Sequence, residues 1–333
     1  MKGAGLLLSA ALAAALAVSV DGCGAGSDRR APAPHLAGRI VFGQYDGVSG
    51  IVLQVDADGG HRHILDVYRE RPRWSPDGDL IAVGGCGAVA DPRCTSAILD
   101  RRRHTATSLP APEVFRDTRT TFGPTAWSPD GSTLVGSAES SRPDLDGLWT
   151  IDARDGSSPR RLTVNLNGRD VPGGYSPDGR SVLFVRSVPD SLGDLVVRGL
   201  FTVSVADRVV RPLTPAAMLV DPDHGGRFSP DGRTVVFGAR AGDGARYSLW
   251  LIDVDGTGLR RLHTALPCGG SRTRPPSYAC SEPAWSPDGR HLVFATRSAS
   301  TPDRDLYVVD ADGSHLRQLT HGDPADTDPD WGP

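Results

Sequence analysis

Charged side chains able to grip a ligand recur just ahead of a series of aromatic residues. Glu70, Arg71 and Arg73 precede Trp74; Arg119 precedes Trp127; Arg169 and Asp170 precede Tyr175. Asp221, Asp223 and His224 precede Phe228, Glu282 precedes Trp285, and Asp326 and Asp328 precede Trp331. Carboxylates and guanidiniums so placed can hold a peptide or small ligand by charge-assisted hydrogen bonds. Arg71, Arg73, Asp170, Asp223, His224, Glu282, Asp326 and Asp328 are the expected binding residues. A second chemistry is open to part of the set: Asp170, Asp223, His224 and Glu282 have the residue types of an acid–base or metal-assisted enzyme acting on carbohydrate or peptide, a lyase for example.

Other constellations carry less. Asp323, Asp326, Asp328 and Asp330 lack the glycine and the terminal glutamate of a calcium loop, and His61 and His63 read as exposed decoration of an outer strand. His224-Gly225-Gly226 is like an esterase oxyanion loop, but no Gly-x-Ser-x-Gly accompanies it, which argues against serine hydrolysis of that type. No metal or cofactor is expected.

The elements that must position these residues repeat. Ser-Pro-Asp-Gly occurs at 75–78, 128–131, 176–179, 229–232 and 286–289, each directly after an aromatic residue, and Asp328-Pro329-Asp330-Trp331 is a sixth, partial version. The period is about 51 residues. Proline presets one turn dihedral, aspartate tolerates the next position and glycine takes the left-handed one, so the tetrapeptide predicts a hairpin turn. A short apolar run follows each turn, as in Val182-Leu183-Phe184-Val185 and Leu292-Val293-Phe294; a third strand follows, as in Leu306-Tyr307-Val308-Val309-Asp310, and then a shorter fourth around Arg161-Leu162-Thr163 or Gln318-Leu319-Thr320.

Four-stranded antiparallel units apolar on both faces predict an all-β, six-bladed propeller. Arg39-Ile40-Val41-Phe42 has no preceding turn motif, so the strand through Trp331 must complete that blade and close the ring. The tryptophans, all on repeat positions, read as packing between blades. The first-to-second connections are tight turns on one face. The long connections, 110–124, 137–147, 186–199, 215–227 and 264–284, leave on the other, where the innermost strands begin, so the charged residues above ring the mouth of the central channel.

The aromatic-Ser-Pro-Asp-Gly turn, Leu-Tyr-Val-Val-Asp-Ala-Asp-Gly at 306–313 and Arg-x-Leu-Thr resemble the TolB-type, WD-like propeller repeat over residues 38–333. The resemblance implies a propeller that binds a protein or peptide partner at its channel mouth. No segment here corresponds to the α/β domain that precedes the propeller in TolB.

Composition agrees. Glycine and proline supply 67 of 333 residues, which disfavours long helices, and a net charge of -4 argues against a nucleic-acid partner. The apolar run from Gly3 to Val20 after Met1-Lys2 predicts a signal peptide over 1–22. Val20-Asp21-Gly22-Cys23 resembles a bacterial lipobox, although Asp21 stands where a small residue is usual; lipidated Cys23 and a tether over 23–37 follow. Cys86 with Cys94 and Cys268 with Cys280 predict two local disulfides within long loops, each contributing about 3 kcal/mol by loop closure. The expectation is a monomeric, non-catalytic, exported propeller, lipid-anchored on the outer face of the cell membrane or else periplasmic or secreted, binding a protein or peptide at the cell envelope.

Overall fold

In the computed structural model, the described residues are 36–333 apart from 46–49, 86–95, 111, 116–120, 140–141, 217, 242–246, 266–279, 298–303 and 323. The predicted signal peptide, Cys23, Arg119, Asp323, Cys86, Cys94 and Cys268 lie outside them.

Six antiparallel sheets form the blades of a propeller. Blade 1 contains, from the inside outward, Ala325–Gly332, Arg39–Tyr45, Gly50–Asp56 and His63–Val67. The last strand of the chain thus lies inside the first, with Ile40 opposite Trp331 and Arg39 opposite Gly332, as ring closure requires. Blade 2 runs Arg69–Trp74, Leu80–Gly85, Ala97–Asp100, Thr105–Ser108, and blade 3 Thr121–Trp127, Thr133–Glu139, Gly147–Asp152, Arg160–Arg161. Blade 4 runs Arg169–Tyr175, Ser181–Pro189, Leu195–Ser204, Val210–Pro212, and blade 6 Ser281–Trp285, His291–Arg297, Arg304–Asp310, Arg317–Gln318.

Blade 5 departs from the pattern. Its innermost strand is split into Met218–Val220 and Arg227–Phe228, both paired with Thr234–Ala241, ahead of Ser248–Asp253 and Arg260–Arg261. The excursion between the two pieces, Asp221-Pro222-Asp223-His224-Gly225-Gly226, brings charged residues into the ring. Blade 4 differs too: the expected loop over 186–199 is largely strand, a hairpin whose turn is closed by Asp190 N–H donating to the Asp194 carbonyl at 2.8 Å.

Apolar residues on both faces of each sheet bury against the neighbouring blades, and a cluster sits at each of the six junctions. Phe42, Phe184, Phe237 and Phe294 are fully buried. The aromatics before the turns tie blade to blade as expected: Trp127 Nε1 donates to the Arg73 carbonyl at 3.1 Å and Trp285 Nε1 to that of Arg227 at 3.3 Å. In all five turns the serine hydroxyl donates to the aspartate carboxylate at 2.6 Å, and the glycine holds a left-handed φ between 70° and 73°. The short outer strands end on a buried leucine whose N–H continues the pairing, as Leu162 does with the Leu148 carbonyl at 2.8 Å.

Candidate binding site

A bulge in the innermost strands creates the site. Arg71-Pro72, Glu282-Pro283 and Asp328-Pro329 each set two residues against one on the adjacent strand, and Arg71, Glu282 and Asp328 adopt φ of 53°, 59° and 51°. A proline disfavours right-handed helical geometry in the residue before it, and a left-handed conformation at a non-glycine residue is a strain that surrounding structure must hold. These three side chains come from blades 2, 6 and 1, at one equivalent position: three residues before the aromatic.

The innermost strands of all six blades surround one axial cavity of about 20 Å³. Such a volume takes a single water or the tip of a ligand, not a whole one. Arg71, Arg73, Asp223, His224, Glu282 and Asp328 all line it, together with Arg227. Close backbone approach between blades 4 and 5 narrows it: a Cβ on Gly173 would meet the Gly225 carbonyl at 2.3 Å, so only glycine fits there.

Ion pairs knit the lining together. His224 Nδ1 lies 3.0 Å from Asp221 Oδ2, and its Nε2 lies 3.2 Å from Glu282 Oε1 and 3.7 Å from Asp328 Oδ1. Burial alone would lower the imidazole pKa, but Asp221 and Glu282, with Asp328 behind them, push it up to about 9. Arg73 is buried and donates to the carbonyls of Pro72 at 2.7 Å, Asp328 at 3.0 Å and Thr125 at 3.1 Å. Its Nη2 also reaches Asp328 Oδ1 at 3.4 Å. Glu282 accepts from Arg304 and from the Asp328 backbone N–H, while Arg169 pairs with Asp223. Burial would raise the Asp328 carboxyl, yet Arg71, His224, Arg73 and Arg304 hold it down at about 2.

Two of the eight expected residues lie elsewhere. Asp170 is buried between blades 3 and 4, accepting from Thr163 Oγ1 at 2.6 Å, Asn165 Nδ2 at 2.9 Å and both arms of Arg186 at 2.8 and 2.7 Å. Asp326 occupies the corresponding place in blade 1, where Gln44 Nε2 donates to it at 3.0 Å and burial pushes its carboxyl up to about 6. Both therefore staple the ring. Arg227 lines the cavity and Arg304 pairs with the cavity residue Glu282, although neither was among the expected residues. Arg227 was findable, since it directly precedes its aromatic just as Arg73 does; Arg304 opens a third strand and carries no local signal.

Among the remaining sequence candidates, Asp330 accepts the Trp74 N–H at 2.8 Å, and the exposed His61 pairs with Asp56 at 2.7 Å. Cys280 is fully buried, its N–H donating to Thr296 Oγ1 at 3.2 Å. No described helix is long and apolar enough to cross a membrane.

A ring of six four-stranded blades, closed by its own last strand around a charged axial cavity, defines a β-propeller of the kind found in TolB structures. TolB from Acinetobacter baumannii matches with a TM-score of 0.65 at 19% identity, covering 88% of this chain and 66% of that one. A protein from Agrobacterium tumefaciens described as a TolB matches with a TM-score of 0.61 at 20% identity, covering 86% and 90%. In sequence, the chain is 26% identical over 277 residues to the uncharacterized protein Atu1656 of Agrobacterium fabrum, covering 79% of this chain and 81% of that protein. No protein-family model matches. The structural likeness shows a shared fold, and at this identity it shows the fold alone.

Proposed function

We propose that the chain is an exported, non-catalytic propeller that binds a protein or peptide partner at the cell envelope through its long-loop face. In this reading it is a monomer held at the membrane by lipidated Cys23, with Cys86–Cys94 and Cys268–Cys280 disulfides fixing two long loops. The observation that carries it is the state of His224. Engaged at both nitrogens and protonated up to a pH of about 9, it is withheld from general-base work at neutral pH, while the cavity around it remains a charged, preorganised pocket. The same face exposes aliphatic side chains: Leu192, at 85%, tips the blade 4 hairpin, near Leu195, and Val164 and Leu166 stand on a loop that Asn165 ties to Ser187 at 2.9 Å.

Affinity capture from the native envelope tests this when wild type is compared with Leu192→Asp/Leu195→Asp and, on the opposite face, Asp178→Ala. A partner retained by Asp178→Ala and lost from the double variant supports the reading; the reverse pattern overturns it. Equal release of wild type and Cys23→Ala from membranes would remove the lipid anchor.

One observation favours a second reading, an enzyme with a metal at the channel mouth. Ligand atoms of His224, Glu282 and Asp328 lie within 4.8 Å of one another. An ion there would have to displace Arg304 from Glu282 and Arg73 from Asp328. Metal analysis of the purified protein, with a substrate screen controlled by His224→Ala, separates the two.

A further inference from the structure

The carboxylates lining the axial cavity are all taken: Asp223 by Arg169, Glu282 by Arg304, and Asp328 by Arg73 and His224. Two of its guanidiniums have no carboxylate at salt-bridge distance among the described residues. Arg71 has no hydrogen-bond or ion-pair partner among the described residues, although Asp223 and Asp328 are close enough to feel its charge. Arg227 donates to the carbonyls of Gly173 and Gly226 and forms no ion pair among the described residues; the carboxylate of Asp330, which it feels most, is bound to the Trp74 N–H. Burial, reinforced by repulsion from Arg73, pushes the Arg227 pKa down, the sign of a buried positive charge short of counter-charge. The two guanidiniums belong to different blades and border the same small space, and the Arg71 backbone is held in a left-handed bulge that aims its side chain there. A guanidinium presents a planar fork matched to a carboxylate, and its pairing with one is strongest where water is scarce.

Resting on the binding reading above, we propose that Arg71 and Arg227 form a carboxylate receptor on the propeller axis, which takes the carboxylate of a peptide partner. The cavity volume suits the tip of such a group, with the rest of the peptide lying toward the long loops. The carboxylate can come from a C-terminus or from an Asp or Glu side chain; the chemistry is shared, and the choice between them is experimental. Two cations without a salt bridge among the described residues also work against a metal ion in the same space.

Isothermal titration with three probes tests the proposal: tri-alanine with a free C-terminus, tri-alanine amide, and N-acetyl-Ala-Asp-Ala-amide. At least one acid-bearing probe binds and tri-alanine amide does not; binding by the free tri-alanine identifies a terminal receptor, and binding by the aspartyl probe alone a side-chain receptor. Arg71→Ala, partly exposed and so tolerant of truncation, weakens that binding at least about tenfold without changing the melting temperature, and Arg71→Lys falls between. Equal binding of the amide, unaltered binding by Arg71→Ala at an unchanged melting temperature, or no binding of any probe overturns the proposal. So does binding of a uronic-acid disaccharide, sensitive to Arg71→Ala, in place of the peptides. Each of these leaves the envelope-capture result standing by itself, so a failed receptor and a failed binding face are told apart.

Discussion

The two ends of the propeller channel obey different rules. At one end, five copies of a single turn repeat the same geometry, a serine hydroxyl 2.6 Å from its own aspartate, with every partner within five residues in sequence. At the other, no two blades contribute alike: an arginine pair from blade 2, a split strand with its histidine from blade 5, a glutamate from blade 6 and an aspartate from blade 1. Repetition marks the end that builds the fold. Divergence marks the end where charges from distant blades must settle against one another, and that is where recognition can be selected without cost to the turns.

Deleting residues 326–333 should have the largest effect, because it removes the strand that closes the ring, taking Trp331 from a blade junction and Asp328 from the cavity. The expected loss exceeds about 5 kcal/mol, seen as a melting temperature lowered by about 10 °C or more, or as the absence of a cooperative transition. An unchanged melt would show that the ring closes otherwise.

Next comes the pH dependence of the charged end. The folded-state pKa of His224 is raised from 6.5 to about 9, so the folded protein binds this proton more tightly than the unfolded chain. Its contribution, on the order of 3 kcal/mol, is complete below pH 6.5 and is lost as pH rises through about 9. Denaturant melts of wild type and His224→Gln across pH 6 to 10 should converge with rising pH, and parallel curves would show that the imidazole is not held charged.

The smallest effects belong to the turns. Ser128→Ala and Ser176→Ala should each cost about 1 kcal/mol, nearly equal and insensitive to pH between 6 and 10, since each removes the same local hydrogen bond. A large difference between them would break the contrast between a repeated end and an individual one.

Much of this was legible in the sequence, for a reason visible in particular residues. The Ser-Pro-Asp-Gly turns, the aromatics before them and the orphan strand through Trp331 act through local geometry and a fixed period, and both are written in the order of the residues. The site was legible in part. Six of the eight expected residues share the cavity. Asp170 and Asp326 do not, because the bulge after each shifts the strand register and changes which side chains face the axis. They meet Arg186 and Gln44 across the sheet instead.

The sequence by itself determined the blade count, the turn chemistry and the closure of the ring, all consequences of short-range dihedral preference and hydrophobic alternation. Only the tertiary structure decided which charges cancel. Arg73 finds Asp328 across 255 residues of chain, and His224 meets Glu282 from the neighbouring blade. Electrostatic pairing depends on distances of a few ångströms that no sequence spacing encodes. That is why Arg71, indistinguishable in the sequence from its neighbours, stands in the folded ring as a cation without a partner among the described residues.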